Sequence, residues 1–302
     1  MKCKASTTQE AKNINEIGEP PSSAPQSHSP AQTVLQDFLK DLMMKHYTQW
    51  LLVLLVLIPV RLYAQECAVA SGKETLPLLE LYTSEGCNSC PPADSWFSRI
   101  DTREVKVVPL GFHVDYWDSL GWKDRFASPV FSARQRQIVD QGRSEAVYTP
   151  QFVLNGRDFR GVATDTFNKT YQRILSIPAR AQLNLMVDDM MRLQVNAVVP
   201  LNKDAKDAQV FVAVYENKLS STVQAGENKG HTLHHDYVVR EFWGAYPLGS
   251  RNALTKSLTL PNQWRDRQGG AVVFVQNAKN GEILQSLQLP FSCLETFAKV
   301  GE

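Results

Sequence analysis

Leu76–Ile100 reads LPLLELYTSEGCNSCPPADSWFSRI, and this stretch decides the fold. Leu76–Thr83 is a mostly apolar run of strand length, the pattern of a strand buried on both faces. Ser84, Glu85 and Gly86 lead into the pair Cys87-Asn88-Ser89-Cys90. Pro91 and Pro92 then open a helix over Ala93–Ile100, because proline is tolerated in a first helical turn, where its missing N–H would have no partner. The cysteine pair therefore stands where a strand hands over to a helix N-terminus.

Downstream, Val105–Val114 (VKVVPLGFHV) reads as a second strand. Ser128 followed by Pro129 is an N-cap with proline at the first helical position, and the helix runs to about Gln141, with Gly142 as its stop. Gln151–Leu154 and Asp158–Val162 flank Asn155-Gly156, a hairpin signal. Thr164 or Asp165 caps a last helix to about Ile177. The resulting order, β-α-β-α-β-β-α, is that of the thioredoxin fold.

Pro178 changes the pattern. Gln182–Val187, Arg192–Val199, Gln209–Tyr215, Asp236–Phe242, Ala253–Leu260, Ala271–Gln276 and Ile283–Leu289 are short candidate strands without helices between them. Turn signals such as Asn202-Lys203-Asp204 and Lys279-Asn280-Gly281 separate them, which suggests an antiparallel sandwich. The expected class is α/β: a thioredoxin-like domain over 72–178, then a β-rich, antiparallel sandwich-like domain over 181–295.

Trp50–Val60 (WLLVLLVLIPV) carries no charge, yet is shorter than the roughly 20 residues a bilayer span needs. It suits the apolar region of a secretory signal peptide. Lys45 and His46 provide the basic start, and Met43 and Met44 are start sites. Residues 43–64 are read as that leader. Cleavage after Ala64 is preferred to cleavage after Ala70, because it keeps Cys67; a helix packed into a core is the alternative. Residues 1–42, with the Pro-, Ser- and Gln-rich run EPPSSAPQSHSPAQ, form a disordered extension or lie upstream of the true start. A secreted or periplasmic protein, with no membrane span after leader removal, is expected. The net charge of +1 gives no basic footprint for nucleic acid and no charge bias toward a membrane surface.

Two residues between cysteines on a first helical turn bring the sulfurs within disulfide reach. The unpaired N–H groups and partial positive charge of the helix start favour thiolate over thiol. Cys87 is assigned as the nucleophile, expected to be exposed, and Cys90 as the half-buried resolving thiol. Glu85 is expected to point to solvent. A permanent structural bridge and half of a soft-metal site are the alternatives, although no second C-x-x-C accompanies the pair. The likeness to thioredoxin-like folds, in which a proline after a cis peptide bond opens the strand beside the dithiol, implies the same for Pro150 after Thr149, leaving the neighbouring backbone free to pair with an incoming chain; a trans proline at a strand's first residue is the alternative. Cys67 and Cys293, left over in an oxidising compartment, are expected to pair. His231, His234 and His235 form a loose cluster, but strand alternation puts His234 and His235 on opposite faces, which argues against a metal site. Tyr237, Phe242, Trp243 and Tyr246 read as sandwich core.

The segments LELYTSEGCNSCPPAD (79–94), GFHVDYWDSLGWKDRFASPVFSARQ (111–135) and VYTPQFVLNG (147–156) resemble a bacterial family of secreted proteins known as domain of unknown function 1223. The resemblance extends from about Leu78 to the C-terminus. It implies a thioredoxin-like domain with an additional β-rich portion. It also marks His113, Asp115, Tyr116, Trp117, Asp118, Gly121 and Trp122, at the C-terminal end of the second strand. His113 or Asp115 would assist proton transfer, with Trp117 and Thr149 as further auxiliary residues; the bland alternative is a packed lid whose polar groups cap turns. Arg134 and Gln135 are expected to hold that loop. The leading function is an exported thiol–disulfide oxidoreductase acting on a protein or small-molecule disulfide or thiol, with no bound cofactor or metal. The alternatives are a scaffold or binding module with a static bridge, and a Cu(I) metallochaperone.

Overall fold

The computed structural model describes residues 39–44, which are helical (α1), and residues 66–294 other than 163, 202, 250 and 265–267. The expected extension 1–42 and leader 43–64 lie outside the described residues, apart from 39–44. Among the described residues no helix is long and apolar enough to cross a membrane.

After β1 (Glu66–Ala70) come β2 (Leu78–Thr83), α2 (Pro91–Ser98), β3 (Val108–His113), α3 (Pro129–Asp140), β4 (Gln151–Leu154), β5 (Arg157–Asp158) and α4 (Asp165–Leu175). From β2 onward this is the element order read from the sequence, and the local signals act as expected. The Ser128 hydroxyl accepts from the Val130 N–H and caps α3, and Thr164 does the same for Thr166 and α4. Asn155 and Gly156 turn the β4–β5 hairpin with φ of 52° and 81°.

The chain continues with β6 (Gln182–Asp188), β7 (Arg192–Val198), β8 (Ala208–Glu216), β9 (Leu219–Thr222), β10 (Thr232–His235), β11 (Val238–Pro247), β12 (Ala253–Thr259), β13 (Gly269–Asn277) and β14 (Ile283–Pro290). The protein is a mixed α/β, strand-rich fold with few helices and several sheets. The largest sheet has the order β14-β13-β8-β11-β3-β2-β4-β5, so strands from both sides of Pro178 share it. Their seam is a single parallel pair, Val238 opposite Gly111. The Gly111 N–H donates to the Tyr237 carbonyl at 2.7 Å.

A second sheet, β1-β6-β7-β12, covers one face of the C-terminal part of the first. Leu183, Leu185, Val187, Leu193 and Val195 interdigitate there with Val210, Val212, Val273, Val275 and Leu287. Two packed sheets are thus present, but not as a separate C-terminal unit: β1 joins one layer, and the other continues through β11 into β3. β2 explains its own apolar sequence by being buried on both sides. Leu78 and Tyr82 join Phe131 and Ile138 of α3, while Leu79 and Leu81 join Phe97 of α2 and Phe167 and Tyr171 of α4. β1, β9 and β10 were not expected from the sequence; LSST and TLHH are too short and polar to read as strands. Cys67 and Cys293 form a disulfide with a Cα–Cα distance of 6.0 Å, tying β1 to the turn after β14.

Candidate functional site

β2 and β3 run parallel with Thr83 opposite His113, so both chains leave the sheet at the same level. The functional candidates collect on the loops that follow. Cys87 and Cys90 form a disulfide, with Cys90 at the N-cap of α2. The Cys90 N–H donates to the Cys87 carbonyl at 3.2 Å, and the Cys87 sulfur lies 3.3 Å from the Ser89 hydroxyl. Here the structure corrects one expectation: Cys87 is 0% exposed, as is Cys90, although Asn88 and Ser89 between them are exposed. Trp117 lies over the loop, and a Cβ on Gly86 would stand 3.3 Å from the Trp117 Cβ. From the far side, the Asn228 amide donates to the carbonyls of Glu85 and Cys87, at 2.8 and 3.0 Å. The Asn88 N–H donates to Glu227 Oε2 at 3.1 Å.

Beside the disulfide lies a buried ionisable cluster. Glu85 was expected in solvent but is 0% exposed, because Trp122 Nε1 donates to its Oε2 at 2.8 Å and its own N–H donates to Asp124 Oδ2. His113 Nδ1 is 2.6 Å from the same Asp124 oxygen. The His235 ring meets the His113 ring edge-on at 4.8 Å, with Nε2 3.4 Å from Glu85 Oε1 and Nδ1 3.9 Å from Asp94 Oδ2. Neither His235 nitrogen, nor Glu85 Oε1, has a partner in hydrogen-bonding geometry. Asp94 accepts from the Thr83 hydroxyl at 3.1 Å.

These environments push the carboxyls apart. Burial drives Asp94 up to about 7 against the opposing pull of His235 and the Thr83 hydrogen bond. Burial also disfavours the charge on Asp124, but the charge and hydrogen bond of His113 outweigh it and hold that carboxyl below its ordinary value. Glu85 is likewise held low, since His235, Ser221 and Trp122 overcome its desolvation.

The other expected residues are near but play different parts. The Thr149–Pro150 bond is cis, and Trp117 Nε1 donates to the Thr149 hydroxyl at 2.8 Å, joining the loop over Gly86 to the start of β4. Pro150 lines a shallow pocket of about 380 Å³ with Tyr148, Phe152, Phe159, Arg160 and Val162. Asp115 accepts from Ser132 at 2.5 Å on the α3 side. Gln135 does hold the loop, accepting from the Tyr116 hydroxyl at 3.1 Å. Arg134 does not. It is buried between α3 and the sheet, donating to Glu80 at 2.6 Å and to Gln276, with Phe112, Phe211, Phe242 and Phe274 around its guanidinium.

His234 is exposed and His235 buried, as strand alternation requires, but the buried ring serves the cluster rather than a sandwich core. Phe242 packs in the α3-side core, whereas Trp243 and Tyr246 lie half-buried against the sandwich. Asp94, Asp124 and Asn228 were not singled out from the sequence, and His235 was noted only within the loose histidine cluster, not as a neighbour of the cysteine pair. Asp124 follows the marked Trp122 by two positions, the nearest available signal; Asn228 lies in a polar turn that carries none.

No curated protein shows significant sequence similarity to the chain. Among solved structures, it is similar to the crystal structure of protein AGR_C_4864 from Agrobacterium tumefaciens, with 24% identity, a TM-score of 0.51, and coverage of 72% of this chain and 96% of that one. HBP35 of Porphyromonas gingivalis is similar at 15% identity and a TM-score of 0.50, over 72% of this chain and 76% of that one. Both likenesses concern the fold alone. The profile of a family described as protein of unknown function (DUF1223) matches residues 78–276, which carry the strand, the cysteine pair, the tryptophan loop and His235 alike, and the chain belongs to that family.

Proposed function

We propose that this chain is an exported thiol–disulfide oxidoreductase, with a thioredoxin-like region that works through Cys87 and Cys90. The observation that carries the reading is a cystine at the start of α2 with a buried carboxyl, Asp94, one turn further along the same helix and pushed up to about 7. A group of that kind is matched to proton transfer at neutral pH.

In the reductive half-reaction, a partner dithiol attacks Cys87 Sγ through one thiolate. The Cys87–Cys90 bond breaks, and Cys90 leaves as a thiolate that takes a proton, the donor in this reading being Asp94, one turn along α2. The partner's second thiolate then attacks its own sulfur in the mixed disulfide. Cys87 is released as a thiol and the partner is oxidised. The reverse sequence oxidises a partner. Cystines at both pairs, together with the uncharged run Trp50–Val60, support an oxidising compartment.

A second reading has its own support: both sulfurs are buried, as in a static cystine that braces a scaffold. Redox titration of the Cys87–Cys90 couple against glutathione or dithiothreitol buffers separates the two. A potential well above about −300 mV is expected; one below it would leave the static cystine.

A further inference from the structure

The β9–β10 pair forms a sheet of its own, outside both larger sheets. It joins the body through Lys218 and Tyr237, with φ of 55° and 57°, a left-handed conformation that costs non-glycine residues free energy. The two connections are held to each other: the Lys218 N–H donates to Asp236 Oδ1 at 2.9 Å and the Tyr237 N–H to Asn217 Oδ1 at 2.8 Å. The arm therefore projects from a paired stem with a bend on each side.

Its far end lies on the cystine loop. Asn228 donates to the carbonyls on either side of Gly86, and Glu227 accepts from the Asn88 N–H. A Cβ on Gly226 would stand 3.2 Å from the Trp122 Cβ, so the arm's turn rests on the tryptophan loop. Arg125 Nη2 donates to the Ser220 carbonyl at 2.6 Å. The base of the arm is His235, inserted between Glu85 and Asp94. The arm's own buried apolar residues, Val223 and Leu233, belong to none of the apolar cores. Its attachment thus lies outside the three apolar cores, the kind that opens locally without unfolding the body.

We propose that the β9–β10 arm is a hinged cover over the Cys87–Cys90 disulfide, and that a partner reaches Cys87 only after the arm swings out about Lys218 and Tyr237. The proposal rests on the thiol–disulfide reading of the pair. It accounts for a cystine sealed at a site whose intervening residues, Asn88 and Ser89, face solvent.

The test is the rate at which excess dithiothreitol reduces this disulfide in the folded, oxidised protein. Samples are quenched with acid and alkylated, and Cys87 and Cys90 are scored by peptide mass separately from Cys67 and Cys293. Dithiothreitol ends as its cyclic disulfide and the protein pair as two thiols. Asn228→Ala removes two hydrogen bonds from the closed arm and is expected to speed reduction roughly 5- to 30-fold. Arg125→Ala removes one tether on an exposed side chain, keeps the site intact, and is expected to give roughly 3- to 10-fold. Acceleration in either variant supports the cover. Wild-type rates in both overturn it, whatever the potential of the couple. Accelerated variants with a couple as resistant to reduction as a static structural cystine would instead remove the exchange reading and leave the cover standing.

Discussion

Asp94→Asn isolates the most perturbed carboxyl of the site. Asp94 is 7% exposed, and its carboxyl titrates near 7 in the fold against an ordinary 3.8. Between those values the folded chain keeps a proton that the unfolded chain has released. The stability contributed by the neutral form is therefore complete below pH 4 and is lost as pH rises through 7. At about 1.4 kcal/mol per pH unit, the gap corresponds to about 4 kcal/mol, and roughly 2.5 kcal/mol of it falls between pH 5 and pH 8. Asparagine cannot ionise, but its carbonyl can still accept from the Thr83 hydroxyl.

The assay is urea unfolding followed by tryptophan fluorescence at pH 5, 6, 7 and 8, with both disulfides oxidised. Over this range Glu85 and Asp124, both held low, stay ionised in folded and unfolded chains and add no slope. The Asp94→Asn variant is expected to lose less stability than wild type toward pH 8, with the difference growing by roughly 2.5 kcal/mol across the window. Parallel curves for the two proteins would refute the argument, because they would mean that Asp94 titrates alike in both states.

Arg134→Met is expected to cost about 3–5 kcal/mol in denaturant unfolding, since it leaves the Glu80 carboxylate buried without its ion pair, and adding Glu80→Leu is expected to recover most of the loss. A single variant within 1 kcal/mol of wild type would show that the pair is not a buried charge in need of compensation. Removing the Cys67–Cys293 bridge by double alanine substitution opens a loop with a sequence separation of 226 residues, for which loop entropy gives a loss of about 5 kcal/mol, read as a lower thermal midpoint. An unchanged midpoint would mean that β1 and the C-terminal turn hold together without it.

The parts of the fold that could be read from the chain are those governed by nearest neighbours. The proline start of α2, the Ser128 cap of α3 and the Asn155-Gly156 hairpin each depend on a few adjacent residues, and each stands where those residues put it. What could not be read is governed by burial and by distant pairing. Glu85 looks like any acid in a polar turn, and only Trp122 and His235, neither adjacent to it in sequence, take it out of solvent. Arg134 sits on a helix face that reads as ordinary, yet it meets Glu80 and a ring of phenylalanines contributed by β3, β8, β11 and β13. The parallel pairing of β11 with β3, Val238 opposite Gly111, joins strands more than a hundred residues apart and has no local sequence signature.

The seam of the large sheet and the candidate site are joined by consecutive residues. His235 enters the acidic cluster, and Asp236 accepts from Lys218 at the stem of the arm. Tyr237 donates its hydroxyl to the Ile100 carbonyl beyond α2 and meets Phe97 edge-on, and Val238 makes the parallel pair with β3. Each of these four consecutive residues is fixed to a different neighbour. The environment of Asp94, from which the proposed proton chemistry follows, is thus set by a strand more than a hundred residues downstream. Without His235, three carboxyls, Glu85, Asp94 and Asp124, would share the pocket with His113 alone, and mutual repulsion would drive Asp94 further toward its neutral form. The β-rich half of the chain therefore supplies part of the buried cluster beside the cysteine pair, through His235, as well as bracing the sheet.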